Sequence, residues 1–508
     1  MLSKVISSAL SGIDAKLVLV ETYIARGLPS FSIVGLPDAS VKESKDRVVA
    51  AIRNSGFDFP YKKITVNLAP ADLKKEGSAF DLPIAIGLLC ASGVLEKSSV
   101  DGWLFTGELS LDGHLRATKG VLPMTIESQK KKLKGIVIPH NNLQEAVVVN
   151  GATVLAAQNL LQVVNYFLGN DKSISPIAGQ DTFDFSNIAY DFDFSDVKGQ
   201  WYAKRALEVA SAGSHNVLMV GPPGSGKTML AKRIVTILPP MCLEEALETT
   251  KIHSVSGFTA NDGTLKANRP FRSPHHTISD VALIGGGAFP KPGEVSLAHN
   301  GVLFLDELTE FDRNVLEVLR QPLEERSVCI SRAKHSVEFP ASFMLIAAMN
   351  PCPCGNLGNS QKECVCLPHA VRRYRSKISG PLMDRIDIHL EVPAVKFDEM
   401  VSDVKAESSL DIRKRILQAR KIQESRFKGL AIRTNAQMSS KLVKKFCKIE
   451  ADALGLLKVA IDRLGFSARA YDRILKVART ISDLESSPTI TSAHISEAIQ
   501  YRQFDKGV

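Results

Sequence analysis

The chain has 508 residues, of which 44% are hydrophobic and 23% charged, and Lys plus Arg outnumber Asp plus Glu by 63 to 54. That length implies about three domains of ordinary size, and the balance excludes a wholly disordered or fibrous chain. A net charge of +9 permits a polyanionic partner but is thin for so long a chain. At the N-terminus, the apolar stretch after Lys4 is broken by Asp14 and Lys16 and followed by no small-residue cleavage site. This argues against a secretory signal, and a cytoplasmic protein is the expectation. Alternating apolar runs at 16–21, 30–34 and 63–68 predict strands, and 40–54 and 82–89 predict helices, together an α+β domain over 1–170. The longest apolar run, 80–95, contains Asp81 and falls short of the about 20 residues that span a bilayer, so no membrane partner is expected.

From 171 to 197 the residues Asp171, Asp181, Asp184, Asp191, Asp193 and Asp196 are interleaved with Phe183, Phe185, Phe192 and Phe194. The segment reads as an acidic linker whose phenylalanines either stay solvated or pack onto a neighbouring domain. Over 198–393, strand-like runs at 216–220, 302–305 and 343–348 alternate with helical segments, the pattern of a parallel sheet with crossover helices. Over 394–508 the pattern is helical, with apolar spacing in Ile412, Ile416 and Ala419 and again in Ile474, Val477, Ala478 and Ile481.

Gly221-Pro222-Pro223-Gly224-Ser225-Gly226-Lys227-Thr228 follows the strand at 216–220 and opens a helical segment, the context of a phosphate loop. Glycines let backbone N–H groups turn onto phosphates, Lys227 reaches the β- and γ-phosphates, and Thr228 supplies an oxygen to Mg²⁺. The apolar run 302–305 ends in Asp306-Glu307, two carboxylates at the edge where open α/β sheets bind ligands. Asp306 suits Mg²⁺, and Glu307 suits a water that attacks the phosphate. The strand at 343–349 delivers Asn350 to the same edge. ATP with Mg²⁺ is the expected cofactor pair.

These residues together resemble the AAA+ ATPases. Arg269-Pro270-Phe271-Arg272-Ser273-Pro274-His275-His276-Thr277, Ile284-Gly285-Gly286-Gly287 and 292–301 are similar to the magnesium-chelatase branch of that superfamily. Residues 77–83 and Gly107-Glu108-Leu109-Ser110 resemble the ribosomal-S5-like fold of Lon protease domains, and the combination resembles the ComM/YifB family. The resemblance implies a multidomain α/β protein. Its parts would be an S5-like α+β domain at 1–170, a P-loop α/β core at 198–393 with a Cys-rich insert at 352–366, and a helical lid at 394–508. It also implies a homo-hexameric helicase that promotes branch migration of DNA during natural transformation. By the same resemblance Asn350 corresponds to sensor 1, Arg385 to an arginine finger supplied across a subunit interface, and Arg469 to sensor 2. Lon proteases pair Ser with Lys. Here Leu122 falls where the lysine would be, so Ser78 lacks a base and the domain reads as a platform rather than a peptidase. A magnesium-chelatase motor subunit and a protein-remodelling ATPase are the alternative readings.

Cys352, Cys354, Cys364 and Cys366 supply four soft ligands suited to tetrahedral Zn²⁺, with His369 as a possible substitute and free thiols or a redox disulfide as alternatives. Basic runs occur at Lys130-Lys131-Lys132, Arg372-Arg373-Tyr374-Arg375, Arg413-Lys414-Arg415 and Arg420-Lys421, for which a solvated face is the ordinary reading. Arg269, Arg272, His275 and His276, between the two nucleotide motifs, are the expected mobile contacts to a phosphate chain.

Overall fold

The computed structural model describes residues 1–170, 173–179, 190–258, 265–287, 290–332, 335–359, 362–394, 406–464 and 466–502. Asp171, Asp181, Asp184, Phe183 and Phe185 of the acidic segment lie outside the described residues. The chain is a mixed α/β protein of two compact units. One comprises Met1–Phe185, Cys242–Ala267 and Ala333–Val337, the other Ser186–Met241, Asn268–Arg332 and Glu338–Val508. Among the described residues no helix is long and apolar enough to cross a membrane.

In the first unit, alternation over Asp14–Ala25 turns Val18, Val20 and Ile24 inward and Tyr23 outward, as a half-buried strand requires. This strand pairs antiparallel with Leu2–Ser11 and with Lys63–Ala69 in an eight-stranded sheet. The helix Asp81–Ser92 is apolar all round because it is buried all round against that sheet. Gly87 permits the approach: a Cβ there would stand 2.6 Å from Thr22 Oγ1. The apolar run that superficially suggests a membrane segment is therefore core. The helix Leu243–Ser256 also belongs to this unit, although its place in the chain lies inside the expected 198–393 segment. Lys251 Nζ pairs with Asp14 at 3.0 Å, and Ser254 donates to the buried Glu145.

The second unit is built on five parallel strands in the order Phe271–Arg272, Val302–Leu305, Met344–Met349, Val217–Val220, Ile388–Glu391. Val217–Val220 and Met344–Met349 are buried throughout, which is why both are continuous apolar runs rather than alternating ones. Helices Trp201–Gly213 and Lys227–Ile237 contribute buried faces to the same core, as do the C-terminal helices Ser409–Arg426 and Ala468–Leu484. Residues 190–197 of the acidic segment are docked in this unit. Phe194 is fully buried, and Asp193 accepts from the backbone N–H groups of Ser195 and Ser409 at 2.8 and 3.1 Å. Of the two fates open to the phenylalanines, packing is the one Phe194 takes.

Candidate functional site

Parallel register brings the ends of three strands together. Val220 is opposite Met349, and Leu305 is opposite Ala347, so the phosphate loop, Asn350 and Asp306-Glu307 all emerge at one edge of the sheet. Gly224 and Gly226 take φ of +77° and +85°, which residues with a Cβ rarely adopt, and the helix Lys227–Ile237 begins directly behind them. The Lys227 ammonium turns back into the loop and donates to the carbonyls of Gly221 and Pro222 at 2.7 and 2.8 Å. It also donates to Asn350 Oδ1 at 3.4 Å. Burial pushes its pKa below the ordinary lysine value, opposed by the nearby Asp306 and Glu307. Thr228 Oγ1 donates to Asp306 Oδ2 at 2.7 Å, placing a hydroxyl and a carboxylate side by side as a hard cation requires. Ser225 Oγ is buried with no hydrogen-bond partner among the described residues. An orphaned hydroxyl inside a glycine cradle, next to a lysine and an oxygen pair, fits a phosphate chain with Mg²⁺.

Glu307 takes a left-handed φ of +52°, an unusual backbone for a residue with a side chain. It holds its carboxylate largely exposed at the strand end, where His276 Nδ1 stands 3.8 Å away. His276 in turn stacks on His275 with ring centroids 4.1 Å apart. His276 thus meets the strand end that carries Glu307, and neither histidine is part of a metal-ligand cluster among the described residues. Gln200 was not foreseen. Its Nε2 donates to the Ser225 carbonyl at 2.6 Å and so props the phosphate loop from the start of the helix Trp201–Gly213. Only the Gly199-Gln200 pair ahead of that helix could have signalled it.

Arg269 and Arg272, expected as mobile contacts to a phosphate chain, both have partners within the second unit. Arg269 Nε donates to the Pro239 carbonyl at 2.6 Å and Nη1 to that of Asn300 at 2.7 Å. Arg272 forms a two-pronged pair with Glu294 at 2.6 and 2.7 Å. Both are fastened to their own unit, because a guanidinium beside a carboxylate or uncapped carbonyls forms charge-assisted bonds rather than hanging free. The run at 413–420 is similar: Arg413 donates to Thr236 O, Arg415 pairs with Glu208 and Glu407, and Arg420 donates to Ser211 O.

Arg385 and Arg469 lie apart from their own phosphate loop. Ile388 is opposite Val217, so Arg385 precedes the start of an edge strand, at the end of the sheet remote from residues 221–228. It is nearly buried, pairs with Glu324 at 2.6 Å and donates to the Pro381 carbonyl. Arg469 is exposed and stands 3.9 Å from Asp384, the residue next to Arg385.

Cys352, Cys354, Cys364 and Cys366 converge with all four sulfurs within 4.8 Å of one another, and His369 is not in this group. In the first unit, Ser78 donates to Glu108, and Leu122 is fully buried with its N–H on Glu145 Oε1 at 3.0 Å.

Residues 193–400 match the family described as magnesium chelatase, subunit ChlI, residues 20–142 match subunit ChlI of Mg-chelatase, and residues 406–502 match the ChlI C-terminal family. Competence protein ComM of Haemophilus influenzae is 45% identical over 504 residues, covering 99% of this chain and 97% of that protein. The protein YifB of Escherichia coli is 44% identical over 506 residues, with 99% and 98% covered. A shorter match, 30% identical over 193 residues and 32% of this chain, is to Lon protease 2 of Bacillus subtilis, of which it covers 33%. Likeness sustained over nearly the full length of both chains, on a sheet that gathers a phosphate loop, two carboxylates and Asn350 at one edge, means that this chain belongs to the ComM/YifB family of magnesium-chelatase-like AAA+ proteins.

Proposed function

We propose that the protein is a ring-forming ATPase that moves DNA, a ComM-like motor that drives branch migration. The observation that carries the ATPase reading is the convergence of Lys227, Asn350, Thr228 and Asp306 at one sheet edge. Backbone N–H groups of residues 224–228 and the Lys227 ammonium would bind the phosphates of ATP, and Ser225 Oγ would gain the partner it lacks. Thr228 and Asp306 would hold Mg²⁺, whose charge would offset that of the phosphates. Glu307 accepts a proton from the attacking water, His276 beside it orients the carboxylate, and Asn350 positions Lys227. The four thiols of the cysteine cluster would hold Zn²⁺.

Arg385 and Arg469 share one neighbourhood at the far end of the sheet, so they serve a phosphate loop other than their own. That geometry supports a closed ring, with a homo-hexamer as the expected assembly, in which each subunit completes its neighbour's site. The DNA reading rests on the relationship to the competence protein ComM and on the net charge of +9. Turnover of ATP should rise with branched or single-stranded DNA, and a synthetic four-way junction should be resolved with ATP and Mg²⁺ at moderate salt. Binding should weaken steeply as salt rises. ATPase activity indifferent to DNA, with no movement of the junction, would favour a chelatase-type or protein-remodelling motor.

A further inference from the structure

The cysteine cluster is built into the wall of the nucleotide site, and we propose that Zn²⁺ bound there holds the phosphate loop in its nucleotide-binding shape, so that metal occupancy sets nucleotide affinity. The proposal rests on the nucleotide reading above. Cys352 Sγ stands 3.4 Å from Cys354 Sγ and 3.6 Å from Cys364 Sγ, and Cys354 Sγ stands 3.7 Å from Cys364 Sγ. Tetrahedral Zn–S bonds of about 2.3 Å put sulfurs about 3.8 Å apart, so these three pairs need only a few tenths of an ångström of expansion, and the fourth sulfur lies within 4.8 Å of them. The backbone N–H of Cys354 donates to Cys366 Sγ, and that of Leu357 to Cys352 Sγ, both at 3.4 Å. Four sulfurs crowded this closely would, as thiolates, repel one another unless a cation lay between them.

Two contacts join this knuckle to the phosphate loop. Cys352 follows Asn350 by one intervening residue, and Asn350 Oδ1 accepts from Lys227 at 3.4 Å. On the other side Gly355 turns with φ of +78°, and a Cβ added to it would stand 2.6 Å from Pro223 Cδ and 2.9 Å from Cγ. The backbone at Gly355 therefore rests directly on the loop. Arg375 Nε fastens the root of the knuckle through the Pro351 carbonyl at 3.3 Å. A loop whose turns depend on left-handed glycines has little stiffness of its own, so a rigid outer wall is what keeps its N–H groups aimed. Four ligands drawn onto one ion make the wall rigid, whereas four separate thiols leave it free to spread.

The test uses the full chain, with metal measured by elemental analysis and affinity by titration of a fluorescent ATP analogue. Freshly purified protein should carry about one Zn²⁺ per chain, and stripping it with a chelator should weaken nucleotide binding by about tenfold or more, reversibly on adding Zn²⁺ alone. Gly355→Ala keeps all four thiols. It should retain its Zn²⁺ yet bind nucleotide about tenfold more weakly, because its Cβ pushes on Pro223. This variant decides the matter even if the stripped protein unfolds. Absence of metal from fresh protein, or wild-type affinity in Gly355→Ala, overturns the proposal, as does unchanged affinity in stripped protein that keeps its circular dichroism. Zinc-loaded wild-type protein that binds no nucleotide at all overturns the nucleotide reading, and this proposal with it.

Discussion

Lys227 and Glu307 sit at the same edge, and the proposed function gives them separable work. Lys227 satisfies two loop carbonyls and Asn350, so Lys227→Ala removes phosphate-binding charge and leaves those acceptors without their donor. Nucleotide binding should fall by about tenfold or more. Among the described residues Glu307 hydrogen-bonds none of those groups, and its exposed carboxylate stands 3.8 Å from His276 Nδ1. Glu307→Gln should keep affinity near that of the wild type while turnover falls by about a hundredfold or more, so that ATP stays bound. Titration of an ATP analogue together with single-turnover hydrolysis checks both, and near-normal turnover in both variants would refute the site. The roles of Lys227, Thr228, Asp306 and Glu307 can be suggested from local spacing because each follows its strand directly. Nothing local could pair His276 with Glu307, thirty-one positions away.

At the scale of an element, the edge strand Ile388–Glu391 carries a pH dependence. Burial, reinforced by the positive Arg502, pushes the His389 imidazole down to about 3 from an ordinary value of 6.5. Between those values the unfolded chain takes up a proton that the folded chain refuses. The stability is thus fully present above about pH 6.5 and is lost as pH falls, by at most about 1.4 kcal/mol per pH unit. Against its own burial, Asp387 is held well below the usual carboxylate range by Arg473 and His215, and this adds to the loss only at still lower pH. Melting temperature should therefore drop from pH 7 to pH 5 more in the wild type than in His389→Gln. Equal drops would show that His389 is not the group responsible. The strand itself was not among those expected from alternation, because its register is set by pairing with Val217–Val220 and not by any periodicity of its own.

At the scale of the whole molecule, the proposed reading makes activity a property of the assembly, because Arg385 lies apart from its own phosphate loop. Subunits with Arg385→Ala keep an intact phosphate loop, and subunits with Glu307→Gln keep an intact finger. Mixing the two inactive variants should restore part of the ATPase activity, since some interfaces then join a sound loop to a sound finger. Steady-state turnover of the mixture against each variant alone measures this. A purified monomer that hydrolyses ATP fully would remove the need for a ring. The same scale explains the two partnered arginines: Arg269 and Arg272 look like free cations in the sequence, but the carbonyls and the Glu294 carboxylate that hold them come from other segments of the fold.

The sequence alone determined the phosphate loop, the Asp306-Glu307 strand end, Asn350, the three inner strands and the apolar faces of the C-terminal helices. Each of these is written in contiguous residues whose spacing matches the period of the element that carries them. It also singled out Cys352, Cys354, Cys364 and Cys366 as a group, with His369 left as a possible substitute. Only the tertiary structure decided that the four cysteines converge within 4.8 Å, that the neighbouring Gly355 rests on Pro223, and that Gln200 braces Ser225. Only the tertiary structure, too, placed the helix Leu243–Ser256 in the first unit. Those outcomes depend on contacts between segments far apart in the chain, where packing and parallel register bring side chains together without leaving any local periodicity to read.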